Sequence, residues 1–291
     1  MKISVLGLGL MGGEIAVRLQ RQGREVIGWN RGAAHREAAA QQRLNLAATP
    51  AEAVVASDLI VLVLSDANAI EQTLFAHLDP SAMAGRTFIQ MGTIAPGESR
   101  EIAKRVEGRG GDYLEAPVLG SLPEAREGAL ILMAGGDRGL YERSLPVLKD
   151  LSANPQWIGA VGQAAALKLA MNQLIAGLTS SFALSLALVR REGIDVDQFM
   201  GLLRGSALYA KTFDKKLDRY LSHAYGDANF PLKHLRKDVR LFQQVAEERG
   251  LDITLIAAME RICARAEAAG LGDKDYSALY EALSREPSPQ G

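Results

Sequence analysis

The sequence is poor in what several common chemistries require. Cys263 is the single cysteine among 291 residues, which excludes an intramolecular disulfide framework and a cysteine metal cluster; set in a helical pattern, it reads as a small core residue. The four histidines, His35, His77, His223 and His234, stand at no metal-ligand spacing, so no metal is expected. Aromatic residues make up 5% of the chain against 48% hydrophobic residues, and the core must therefore be mostly aliphatic, as in helix-on-sheet and helix-on-helix packing. Neither charge sign dominates, with 33 basic and 34 acidic residues. That balance argues against a nucleic-acid or membrane partner held by bulk electrostatics and leaves a small molecule as the expected partner. No uninterrupted apolar run is long enough to cross a bilayer. The first strand begins at residue 2 with no signal peptide ahead of it, so a cytoplasmic protein is expected.

Glycine, by contrast, is plentiful, and its placement is informative. Lys2-Ile3-Ser4-Val5-Leu6 runs into Gly7-Leu8-Gly9-Leu10-Met11-Gly12 and then into an amphipathic helix. In this dinucleotide-binding fingerprint Gly7 allows the tight turn, Gly9 lets a pyrophosphate approach the backbone, and Gly12 lets the helix pack close to the sheet. Leu10 and Met11 would face the cofactor from the same turn, and Leu64, at the end of a later strand, from beside it. The phosphates would sit on the helix N-terminus, where free N–H groups and the dipole favour negative charge. Asn30 and Arg31 follow the second strand, where an NAD site usually has Asp or Glu. Arg31 can pair with a 2'-phosphate and Asn30 adds no repelling charge, so NADP(H) is the expected cofactor. A solvated loop arginine would look the same, and His35 and Arg36 could equally face water.

At about 150 residues per domain the length suggests two domains. The first half alternates strand-like runs, at 2–6, 25–30, 58–64, 87–91, 113–116 and 129–134, with helix candidates such as 50–57, 66–77 and 96–108. This predicts an α/β, doubly wound Rossmann domain over residues 1–160. From Gly162 to Arg191 small and apolar residues run without a strand signal, and helices are expected at 195–205, 211–222, 231–249 and 252–269, punctuated by Gly193, Gly250 and Gly270. Residues 161–291 are thus expected to form an all-helical domain behind a long interdomain helix, with a disordered tail from Glu286. A helix apolar all round needs partners on every side, so a homodimer or homotetramer using the surface of 164–187 is expected, although a well-packed monomer would also satisfy it.

Within that apolar stretch sits Lys168. Asn172, four residues on, shares its helix face. Burying an ammonium costs several kcal/mol unless it is paired. A carbonyl being reduced develops negative charge on oxygen, and a lysine can bond that oxygen and donate the proton. The alternative is a lysine snorkelling at a domain boundary.

These residues resemble the β-hydroxyacid dehydrogenases, the family that includes 3-hydroxyisobutyrate dehydrogenase, and within it the glyoxylate/succinic semialdehyde reductase branch. The likeness spans essentially the whole chain. The family's Asp-Ala-Pro-Val-Ser-Gly-Gly substrate motif is similar to Glu115-Ala116-Pro117-Val118-Leu119-Gly120-Ser121, its Ser-Thr-Val turn to Gly92-Thr93-Ile94, and its lysine motif to Lys168 and Asn172. Phe230-Pro231-Leu232-Lys233-His234-Leu235-Arg236-Lys237-Asp238 and Gly270-Leu271-Gly272-Asp273-Lys274-Asp275-Tyr276-Ser277 continue it. The resemblance implies a 6-phosphogluconate dehydrogenase-like helical domain, with Lys168 as general acid and Asn172 as its helper. It places Thr93, Leu119, Gly120 and Ser121 at the substrate or nicotinamide, and Phe230, Lys237 and Asp238 closing over the cofactor, Lys237 on the cofactor side and Phe230 and Asp238 on the substrate side. Read without the family, 230–240 is a basic, solvated helix start, and adjacent Lys237 and Asp238 share no helix face, so they would serve different partners.

Two departures bear on the substrate. Leu119 and Gly92 stand where the family has serines, and each change deletes a hydroxyl donor from a pocket expected to hold a carboxylate. Backbone N–H groups of Gly120 and Ser121 could still bind an anion. The expectation is an NADPH-dependent reductase of a small aldehyde or keto acid. An imine reductase, favoured by Leu119, and a non-catalytic nicotinamide-binding protein are the alternatives.

Overall fold

A computed structural model describes residues 1–76 and 78–284; His77 and the tail from Glu286 lie outside them. The chain divides into two compact units, Met1–Lys168 and Leu169–Gly291.

The first unit is built on one sheet of nine strands: β1 Lys2–Leu6, β2 Glu25–Trp29, β3 Asn45–Leu46, β4 Leu59–Leu62, β5 Thr87–Gln90, β6 Asp112–Glu115, β7 Val118–Leu119, β8 Ile131–Gly136 and β9 Gln156–Gly159. Their order is β3-β2-β1-β4-β5-β6-β8-β7, with β9 against β8. The strand order reverses beside β1, and neighbours from β3 to β6 are parallel, with Ile3 level with Val26 on one side and Leu59 on the other. Both faces are covered, because alternate side chains leave each strand in opposite directions. Val5 and Val61 join Ile15 and Leu19 of helix Leu10–Arg21 and Leu148 of helix Arg138–Leu151. Leu6, Ile60 and Leu62 face the other way, towards Val54 of helix Pro50–Val55 and Ile102 of helix Pro96–Glu107. This is why β4 is apolar at four consecutive positions. Helix Pro50–Val55 starts as its sequence requires, with Thr49 Oγ1 accepting from the Glu52 N–H and proline in the first turn.

The sheet is not parallel throughout. β8 runs antiparallel to β6 and β7, because only the short helix Leu122–Glu127 separates β7 from β8, too little chain for a crossover. The two-residue strands β3 and β7 give no period to read, and β9 lies just where the sequence pattern begins to change.

The second unit is helical: the remainder of helix Gln163–Arg191, then Val196–Arg204, Lys211–Ser222, Leu232–Glu248, Thr254–Ala266 and Leu279–Ser284. Along the long helix Ala176 packs into a cluster with Leu235, Val239, Ile256 and Met259. Phe182, Ala183 and Leu186 pack into a second with Phe213, Leu217 and Tyr220, the rings of Phe182 and Phe213 stacked at 4.6 Å. Cys263 is buried in the first cluster, and burial pushes its thiol up to about 12. Leu174, Leu184 and Leu188, at 53%, 57% and 61% exposure, leave one long face of the helix unpacked. By length and composition Gln163–Arg191 could cross a bilayer, with a mean hydropathy of 1.4 over its most apolar window. This corrects the sequence expectation, since the stretch after Lys168 carries no charged residue before Arg190 and its polar residues leave the average high enough for a crossing.

Candidate active site

At Gly7 the chain turns with φ +100°, and a Cβ there would lie 2.2 Å from the Val63 carbonyl oxygen. At Gly12 it would lie 1.8 Å from the Gly7 carbonyl oxygen. Both positions are closed to any other residue. Gly9 is different: a Cβ would meet nothing within 4 Å, so the missing side chain leaves open space before helix Leu10–Arg21. The N-cap, Gly9 itself, supplies no side chain to the helix's first N–H groups. Open N–H donors, a positive helix end and room for close approach suit a pyrophosphate, and these residues fit a dinucleotide. Leu10 is exposed on this turn, and Met11 is half-buried against the core.

Asn30 ties the end of β2 to this loop. Its Oδ1 accepts from the Leu8 N–H at 3.0 Å and its Nδ2 donates to the Gly32 carbonyl at 3.2 Å. Arg36 donates to the carbonyls of Asn30 and Arg31, both at 3.0 Å, while Arg31 is exposed.

The loops beyond β4, β5 and β6 carry the other candidates of the first unit. Leu64 packs on the sheet core, and its carbonyl oxygen stands 2.4 Å from where a Cβ on Gly92 would be. Glycine at 92 is therefore a consequence of two loop backbones touching. Thr93 is half-buried beside it. Leu119 is half-buried and pairs with Ile131, and Gly120 has φ +137°. Ser121 opens helix Leu122–Glu127, its N–H and Oγ donating to Glu124 Oε2 at 2.7 and 2.5 Å. The expectation that the Ser121 N–H could bind an anion is thereby corrected, because a carboxylate of the chain already holds it.

Lys168 is 8% exposed and Asn172 2%, one turn apart on helix Gln163–Arg191. The start of this helix is fixed by Glu115, which the sequence reading passed over. Glu115 is 1% exposed. Its Oε1 accepts from the N–H groups of Gly162, Ala164 and Ala165 at 2.8, 2.8 and 3.2 Å, and its Oε2 from Ser99 Oγ at 2.5 Å. Ser99 Oγ lies 2.9 Å from the Tyr113 hydroxyl, whose pKa burial holds above its ordinary value. An acid closing an apolar strand was the available signal, since buried carboxylates need donors.

In the second unit Asn172 Nδ2 donates to Asp238 Oδ2 at 2.6 Å, with Asp238 3% exposed. Asn172 Oδ1 is buried without a hydrogen-bond partner. Lys237 Nζ lies 3.0 Å from Asp238 Oδ1, a charge contact that lacks hydrogen-bond geometry, as Oδ1 makes no hydrogen bond. The flexible lysine stem thus reaches across to its neighbour in sequence. His234, one turn before Asp238, has its pKa lowered by burial and then by Lys237 and Lys233. Phe230 meets Tyr276 edge to face at 5.8 Å. The segment that holds it is pinned by a second feature missed in the sequence, a buried ion pair of Lys216 Nζ with both Asp275 carboxylate oxygens at 2.8 Å.

A glycine cradle on a doubly wound sheet, followed by an all-helical unit, defines a two-part dinucleotide-binding protein. Comparison with known proteins narrows the class. The NAD binding domain of 6-phosphogluconate dehydrogenase matches residues 2–159, and the NAD-binding domain of NADP-dependent 3-hydroxyisobutyrate dehydrogenase matches residues 162–283. The chain belongs to the NAD(P)-dependent β-hydroxyacid dehydrogenases, oxidoreductases acting on CH–OH groups. Glyoxylate/succinic semialdehyde reductase 1 of Arabidopsis thaliana is 31% identical over 290 residues, 98% of this chain and 100% of the relative. A 3-hydroxyisobutyrate dehydrogenase from Salmonella typhimurium shares the fold at a TM-score of 0.86 and 24% identity, covering 97% of this chain and 99% of that one. An imine reductase from Myxococcus stipitatus, solved with NADP+, shares it at 0.68 and 24%, covering 97% and 100%.

Proposed function

We propose that the protein uses NADPH to reduce a small aldehyde or keto acid, of the glyoxylate or succinic semialdehyde type, to the hydroxy acid, with Lys168 as proton donor. The observation that carries this reading is the burial of Lys168, a single ionisable side chain on a long apolar helix until Arg190, in a family that interconverts carbonyl and alcohol. Reduced nicotinamide supplies the hydride, two electrons and one hydrogen, to the carbonyl carbon. The C=O pair then moves onto oxygen, the Lys168 ammonium gives that oxygen a proton, and the amine left behind regains one from water. Asn172, held by Asp238, presents a buried acceptor oxygen suited to an ammonium or hydroxyl donor. Gly7, Gly9, Leu10, Met11, Gly12, Leu64 and Thr93 would cradle the cofactor, while Leu119, Gly120 and Ser121 would shape the substrate side. Preference for NADPH is supported by Asn30 in place of a carboxylate and by exposed Arg31 beside it. The exposed leucine face of helix Gln163–Arg191 supports a homodimer.

An imine reductase is the second reading, favoured by Leu119 and by the capture of both Ser121 donors by Glu124. The test follows NADPH and NADH oxidation with glyoxylate, succinic semialdehyde, uncharged aldehydes and cyclic imines, with Lys168→Ala in parallel. Reduction of an aldehyde acid with NADPH, abolished in the variant, is expected; turnover of imines alone would replace the first reading with the second.

A further inference from the structure

We propose that Glu115 is a positioning residue for Lys168, its buried carboxylate fixing the start of the helix that carries the lysine and keeping that lysine in the protonated, proton-giving form. The inference rests on the reading of Lys168 as proton donor. Lys168 is the sixth residue of helix Gln163–Arg191, close to an end that carries roughly half a positive charge. A cation near that end is disfavoured, so an uncompensated helix start would lower the lysine's affinity for its proton. Glu115 supplies the compensation from a distant part of the sequence. Its Oε1 takes N–H groups of Gly162, Ala164 and Ala165, and Ser99 binds the other oxygen.

The groups that face this carboxylate are the Ser99 hydroxyl on helix Pro96–Glu107 and the helix N–H donors, with the Tyr113 hydroxyl on β6 bonded in turn to Ser99. A cation stands beside the helix start from a neighbouring element: Arg100, whose Nη1 would be 2.1 Å from a Cβ at Gly162. This cation adds to the positive end, and so raises the need for the Glu115 charge. On the long helix itself no other ionisable side chain precedes Arg190. Gly135 packs so tightly on Glu115 that a Cβ there would lie 2.5 Å from Oε1, so the carboxylate has little room to turn away from the helix.

The experiment measures the ionisation of Lys168 directly, by NMR of protein with labelled lysines, assigning the signal through Lys168→Arg. Glu115→Gln keeps the size and an acceptor oxygen for the N–H groups but removes the charge. Its Lys168 titration is expected to fall by about half a pH unit or more. If the protein reduces carbonyls, the alkaline limb of its kcat profile should move by the same amount, with KM unchanged within about twofold. Gln163→Glu is a second variant that does not depend on the first one folding. Gln163 is exposed at the first helical position, with its Oε1 accepting from Ala160, so a glutamate there adds negative charge at the same end and should shift the Lys168 titration upward. An unmoved titration in either folded variant overturns the proposal. A shifted titration without turnover of any carbonyl supports it and refutes the proposed activity instead.

Discussion

Removing the negative partner of the buried Lys216–Asp275 pair should make the second unit's stability steeply dependent on pH. The two side chains are 5% and 0% exposed, and burial already outweighs the attraction of Asp275, so that the Lys216 pKa is lowered from 10.5. In Asp275→Asn the ammonium would have only a neutral partner, and the folded protein would relieve it by releasing the proton. That release has a calculable ceiling. At roughly 1.4 kcal/mol per pH unit, deprotonating an amine of ordinary pKa 10.5 costs about 5 kcal/mol at pH 7 and about 1.4 kcal/mol at pH 9.5. The pH 7 figure agrees with the roughly 3–5 kcal/mol found on breaking buried pairs. The sign follows from linkage: with the folded pKa depressed, the unfolded chain binds more protons across this window, so stability rises with pH up to about 10.5. Lys216→Met should cost less at pH 7, because Asp275 keeps the Ser277 N–H and hydroxyl at 3.1 and 2.7 Å. Urea unfolding at the two pH values, followed by a probe in the second unit, measures all of this. Equal destabilisation by Asp275→Asn at pH 7 and 9.5, or a cost below about 1 kcal/mol at pH 7, would refute the argument.

Three further outcomes are expected. The lowered His234 pKa means that its contribution to stability is complete above about 6.5 and is lost as pH falls below it; urea midpoints between pH 7.5 and 5 should decline less steeply in His234→Gln than in the wild type. Restoring a serine at Gly92 should destabilise by about 1–3 kcal/mol without improving carboxylate binding, since its Cβ would collide with the Leu64 carbonyl; an unchanged thermal midpoint would contradict this. Glu124→Gln should improve kcat/KM for an aldehyde acid over a neutral aldehyde of the same size by about three- to tenfold, by removing a like charge at short range; equal changes for both would show that the Glu124 charge is not felt by substrate.

The features legible in the sequence are those in which local chemistry and global fold make the same demand. The Gly7, Gly9 and Gly12 spacing could be read because each glycine answers a separate steric need, and β4 because burial on two faces leaves no room for a polar alternation. Lys168 and Asn172 stood out because polar groups are rare on an apolar helix. Glu115 stood in a quoted motif and was still overlooked. Its partners lie 16 residues back at Ser99 and 47 or more ahead at Gly162, Ala164 and Ala165, and no window of sequence contains them all. Lys216 and Asp275, 59 residues apart, are hidden for the same reason. Ser121 and Glu124 are an instructive opposite. Ser-x-x-Glu is a helix-start signature visible within four residues, but the same serine also falls in a substrate motif, and sequence alone does not say which demand its hydroxyl meets. The geometry shows the helix-start contact made: one Glu124 oxygen takes both the N–H and the hydroxyl. A loop that has lost one serine hydroxyl to Leu119 and committed another to a carboxylate offers an anion fewer donors and a nearby negative charge. On the proposed reading, the capping of a six-residue helix would weigh on the charge of the substrate as much as the side chains around it.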